Sequence, residues 1–295
     1  MNNTFKLIRW IMFRFLHIIF LVAAFYSNGC AQSVLPSGKS AIAVTKTDSI
    51  FRFVRSIPGD FIFLNVDVLD NIYLVTAGNR LKKLNSKGDS VAVFNDVKKY
   101  GNPTLIDVNN PLKILVYYKN YTSVVVLDRF LTQRNSINFR KQSIFSVKAI
   151  ATSYDNNIWI FDEQDYKLKK IDETGKLILE SPDMRQLLDT VPSPDLIIDS
   201  DNLVYLYDAK KGFYIFDYYG AFKNTIPFLN WTDIAISRNK IMGFSDNRLY
   251  SYELNSMNLK TYTLPTFFRD YLAIKAVNGK VYLLKKDALE IYRFE

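Results

Sequence analysis

The feature that most constrains this chain is a recurring unit of strands. An apolar stretch leads into a turn rich in Asp, Asn and Gly. A strand of the Ile-Tyr-Leu type follows, then a strand ending in an apolar-acidic or apolar-Asn pair. Two copies read most easily. One runs from Val66-Asp67 through Asn71-Ile72-Tyr73-Leu74 to Leu84-Asn85; the other runs from Ile198-Asp199 through Asn202-Leu203-Val204-Tyr205 to Phe216-Asp217. Six units follow one another, marked by the second-strand anchors Ile72, Leu115, Ile158, Val204, Ile241 and Val281. A strand repeat of about 40 residues predicts a β-propeller with one blade per repeat. The expected fold class is all-β: a six-bladed β-propeller.

The units are not all complete. Blade six reads as three strands, Tyr271–Val277, Lys280–Lys285 and Ala288–Phe294, where the sequence stops. Ser49–Ser56 is an alternating apolar and basic strand that precedes blade one and has no blade of its own. Pairing it outside Ala288–Phe294 completes the last blade. It also closes the ring and removes open edges that would recruit other chains. The composition supports this reading: 48% of residues are hydrophobic and 15% aromatic, which suits pleated, half-buried surfaces.

Residues 1–32 carry the order of a secretory signal. Lys6, Arg9 and Arg14 precede the apolar run Phe15–Phe25, and small and polar residues follow at Ser27-Asn28-Gly29-Cys30-Ala31-Gln32. The apolar run is shorter than the roughly 18–20 residues of a membrane-spanning helix. Ser27-Asn28-Gly29-Cys30 resembles a bacterial lipobox, with Gly before Cys as in the motif and Ser where Leu is usual. The resemblance implies lipidation of Cys30 and cleavage before it. The alternatives are cleavage after Ala31 or Gln32, giving a soluble periplasmic protein, and a retained N-terminal helix holding a sensor ectodomain. Residues 33–48 read as a tether and 49–295 as the propeller. The expected location is the bacterial cell envelope, with the membrane a partner through the anchor.

Charge and residue types narrow the chemistry. The net charge is +9, and three of the cations lie in the acid-free leader, so about +6 remains from residue 30 onward. The basic residues are scattered in pairs such as Lys82-Lys83 and Lys210-Lys211, and no nucleic-acid motif accompanies them. The one cysteine, Cys30, permits no disulfide within the chain, and the one histidine, His17, lies in the leader. A mature domain of this kind lacks Ser-His-Asp and Cys-His nucleophilic machinery, histidine-bound zinc and histidine acid–base pairs. No cofactor and no metal site is expected. Asp67, Asp107, Asp155 and Asp199, at or just after the inner strands, read as residues that cap their own turns.

Asp67 through Asn71-Ile72-Tyr73-Leu74, followed by Asn79-Arg80-Leu81 and Lys83-Leu84-Asn85 with Gly88, resembles an NHL repeat, as does Asp199 through Tyr205 with Phe213–Gly220. The region 50–295 is similar to six-bladed propellers of the NHL and TolB-like kind. Such propellers include sugar-lactone hydrolases, peptide-processing lyases and binding scaffolds, and a shared fold does not choose among them. The expectation is a non-catalytic scaffold for an envelope protein or glycan; the alternative is a calcium-dependent hydrolase of the sugar-lactonase kind. The surface expected to bind comprises turns between second and third strands together with an insertion, Glu180–Pro194. Its candidate residues are Tyr118, Tyr121, Tyr166, Lys210, Lys211 and Arg185. Asp183 is expected to cap a short helix over Met184–Leu188 within that insertion.

Overall fold

The computed structural model describes residues 50–237 and 239–294. The leader with Cys30 and the tether of 33–48 lie outside the described residues. Strands and turns account for almost all of the rest. They form six four-stranded antiparallel sheets. The inner strands are Phe61–Val66, Leu105–Asn110, Val147–Thr152, Leu196–Ser200, Thr232–Ser237 and Ala273–Val277. Each lies beside the inner strand of the next blade, and that of blade six lies beside that of blade one, so the ring is closed.

Closure is made by the two ends of the domain. Phe51–Pro58 is the outermost strand of blade six and pairs antiparallel with Ala288–Phe294, from Phe51 opposite Phe294 to Pro58 opposite Ala288. The alternation expected of this strand is interrupted by a register shift between Phe53 and Arg55. Arg55 then reaches back to the backbone carbonyls of Ser86 and Lys87 in blade one.

The burial pattern explains why the second strands carry continuous apolar runs. Ile72–Val75, Lys113–Tyr118 and Ile158–Asp162 are buried along their length because a neighbouring blade covers each face of their sheet. The core is therefore divided among the blade interfaces. One cluster joins Tyr73, Val75 and Leu81 of blade one to Ile106, Val116 and Leu127 of blade two. Another joins Leu64 and Ile72 of blade one to Tyr282 and Ile291 of blade six. The Asn- and Asp-rich turns have a backbone cause. Asp201–Asn202 (φ 52° and 66°) and Asp246–Asn247 (φ 48° and 59°) are both left-handed, as a two-residue hairpin turn requires.

Two rims follow from this topology. The hairpin rim carries the turns between first and second strands and between third and fourth. The loop rim carries the turns between second and third strands and the blade-to-blade connections. The insertion lies on the loop rim and includes the expected helical turn, Met184–Leu187, with Asp183 accepting from the Arg185 backbone N–H at 2.9 Å. Three further short turns, Val97–Tyr100, Lys119–Tyr121 and Phe139–Gln142, occur where the sequence suggested only strand or connection. Among the described residues no helix is long and apolar enough to cross a membrane.

Candidate functional site

The inner strands enclose an axial channel with a cavity of about 530 Å³. Its wall is mostly aliphatic, including Leu64, Ile106, Ile150, Ile198, Ile234 and Ala276. Charge is confined to the ends. At the loop-rim mouth Lys148 pairs with Asp195 at 3.1 Å and Lys275 with Asp233 at 3.6 Å. Both pairs join neighbouring blades. Strand-initial charges at these positions are the signal that a reading by strand pattern alone passes over.

At the hairpin-rim mouth the carboxylates are held by protein donors. Asp67 behaves as expected: its Oδ1 accepts the backbone N–H groups of Leu69 and Asn71, both at 2.9 Å. Its Oδ2 accepts from the Tyr73 hydroxyl at 3.0 Å. Burial and this carboxylate together push the Tyr73 phenol far above its usual range. Asp155 also caps its turn, accepting from Asn157 N–H at 3.2 Å, and pairs with Lys170 at 3.0 Å.

Asp107 and Asp199 reach further than turn capping. Asp107 Oδ2 accepts from Thr152 of the next blade, from the backbone N–H at 2.7 Å and the hydroxyl at 2.6 Å. Enclosure by protein raises its pKa; the Thr152 bonds oppose the shift and the charge of Asp199 adds to it. Asp199 Oδ2 accepts from Trp159 Nε1 at 2.9 Å and Ser153 Oγ at 3.1 Å, and its Oδ1 accepts from the Tyr218 hydroxyl at 3.1 Å. These two acids therefore bridge blades. The same neighbourhood cages Lys170, whose ammonium lies 4.6 Å from the Trp159 ring and 5.1 Å from that of Tyr154. Among the described residues no group of three or more His, Cys, Asp or Glu is placed to hold a metal ion.

The expected binding residues all lie on the loop rim. Tyr118 is buried and stacks on Tyr100 at 5.0 Å. Tyr121 is half exposed and meets the same ring edge-on at 6.4 Å. Tyr166 lies 4.9 Å beneath the Arg185 guanidinium, which makes a forked pair with Asp183. That pair holds the Asp183 carboxyl well below its usual range, at about 2. Lys210 is exposed, whereas Lys211 donates to the carbonyl of Val191 in the insertion. Tyr214 donates to Thr190 O at 3.1 Å, and the Ser193 N–H donates to Asp208 at 2.9 Å. Tyr166, Arg185, Lys210 and Lys211 thus belong to one patch fixed by the insertion, with Tyr121 one blade away. Tyr117 and Tyr207, on the same rim, are buried and hydrogen-bonded inward.

Fold and channel together define a closed six-bladed β-propeller. No family model and no curated protein matches the chain. Solved structures do. A streptogramin B lyase matches with a TM-score of 0.54 at 20% identity, over 79% of this chain and 78% of the other. The WD40 domain of Neurospora crassa Pan2 gives a TM-score of 0.59 at 11% identity, covering 85% and 97%. A catalytically inactive virginiamycin B lyase from Staphylococcus aureus with quinupristin gives 0.56 at 11%, covering 83% and 100%. Lyases and a WD40 domain share the architecture, so the likeness is one of fold.

Proposed function

We propose that this chain is a non-catalytic propeller of the NHL and TolB-like kind, exported to a bacterial envelope and anchored through acylated Cys30. It binds an envelope protein or glycan through the loop rim. The observation that carries this reading is that the acids around the channel have protein donors while a loop-rim patch beside the insertion keeps exposed side chains. The inner-strand acids Asp67, Asp107 and Asp199 are engaged by donors of the protein itself. The loop rim instead presents Tyr121 and Lys210 to solvent beside a capped insertion. Tyr is large, stiff and amphipathic, which suits contact surfaces.

The test is capture of partners from detergent-solubilised envelopes by the full chain. It is run against Tyr121→Ala, Lys210→Glu and Arg185→Glu, each verified as folded. A partner or glycan retained by the wild type and lost in these variants supports the reading. Capture unchanged by all three sinks it. Stabilisation of the wild type by millimolar calcium would favour the lactonase-like alternative, because binding only to the folded state raises the melting temperature.

A further inference from the structure

We infer that the hairpin rim docks against the lipid surface to which the chain is tethered, its turn tips lying among the headgroups. This rests on the anchored reading above. Large apolar side chains stand at turn tips on this rim: Leu69 is 63% exposed, Leu112 61%, Tyr154 63%, Tyr219 81% and Met257 78%. Blade two adds Phe130, with the Arg129 guanidinium 4.7 Å from its ring. Every blade from one to five thus contributes at least one tip. Blade six contributes the place where the chain enters. Phe51 begins the outermost strand opposite Phe294, and Phe294 N–H bonds to Gly279 O in a hairpin-rim turn at 2.7 Å.

That point of attachment decides between the two rims. The loop rim also has exposed apolar residues, among them Phe145 and Leu229. The tether, however, joins the domain on the hairpin side. About 20 residues separate Cys30 from Ile50, so an anchor at Cys30 lies within about 70 Å of the hairpin-side entry even at full extension. The anchored membrane is therefore held close to the tips, at a high effective concentration. Single apolar side chains that bind lipid weakly on their own become effective when a second attachment is in place. Tyr at the water–lipid boundary favours such docking. Docking in this sense turns the loop rim outward, where a partner can reach it.

The test uses the full chain reconstituted into phosphatidylethanolamine–phosphatidylglycerol vesicles. Single substitutions Met257→Cys and Tyr219→Cys on one rim, and Phe145→Cys and Leu229→Cys on the other, are labelled with a fluorophore. Unsubstituted protein supplies the Cys30 background. Quenching by lipid-borne nitroxide confined to positions 219 and 257 is the expected result. Quenching at neither rim, or at 145 and 229 instead, overturns the inference, as does cross-linking of the tips to a second copy without quenching. Acyl incorporation that depends on Cys30, followed in parallel, separates the causes. If chains are acylated and float with vesicles yet show no tip quenching, the docking fails and the anchor stands. If no acyl group is incorporated, the anchor fails and the docking with it.

Discussion

Phe51 stacks on Phe294 across the seam of the ring, their centroids 5.2 Å apart at an interplanar angle of 29°. Phe268 meets the same Phe51 ring at 5.0 Å, so the first strand is packed as well as hydrogen-bonded into the last blade. Phe51→Ala is expected to cost about 3 kcal/mol, the usual scale for truncating a buried aromatic. Urea denaturation measures it, and an unchanged midpoint would mean that the seam adds nothing to stability.

Tyr73 and Tyr205 occupy equivalent places on the second strands of blades one and four and are both buried, yet only one hydroxyl is satisfied. Tyr73 donates to Asp67, whereas the Tyr205 hydroxyl has no partner among the described residues. Tyr73→Phe is expected to cost about 1–2 kcal/mol by leaving a carboxylate under-bonded. Tyr205→Phe is expected to be neutral or stabilising, because it removes an orphaned polar group. Equal losses in a paired denaturation experiment would refute the assignment.

Asp107 gives a pH signature. Its pKa is raised chiefly by burial, so the folded state binds a proton more readily than the unfolded chain. The ionised carboxylate then lowers stability at neutral pH, and this penalty fades as pH falls through the raised folded value. Asp107→Asn keeps an acceptor for Thr152 and removes the charge. The variant is expected to be more stable than wild type at neutral pH, with the gap closing in acid. Unfolding curves at several pH values, compared between the two proteins, show whether it does.

Gly212 ends the turn beside Lys210 and Lys211. Its φ is +89°, and a Cβ there would sit 2.4 Å from the Ile226 carbonyl oxygen. Gly212→Ala combines a left-handed backbone with a clash against main chain. A loss of about 1–3 kcal/mol is expected. Thermal unfolding reads it directly.

The strands were most legible where a second strand lies under two neighbours and reads as an apolar run, such as Ile72-Tyr73-Leu74-Val75, and least in blade five, where burial along Lys240–Ser245 is interrupted. The turns were legible because Asn and Asp tolerate the left-handed backbone they require. The seam was legible from a surplus strand at one end and a missing one at the other. Bridging between blades was not. Asp199 carries the sequence signature of a turn acid, but its partners Trp159 and Ser153 lie about 40 residues earlier, at a separation that no local pattern encodes. Nor does a 2–3 turn position distinguish Tyr118, folded under Tyr100, from Tyr121, left half exposed; only the unanticipated helical turn Val97–Tyr100 decides which is covered.

The seam also bears on biogenesis. The suture joins Phe51–Pro58 to Ala288–Phe294, segments more than 200 residues apart in sequence, so the torus locks only once both are in place. Without Ala288–Phe294, blade six would keep only the pair Ala273–Val277 and Lys280–Leu284, and Phe51–Pro58 would lose its strand partner.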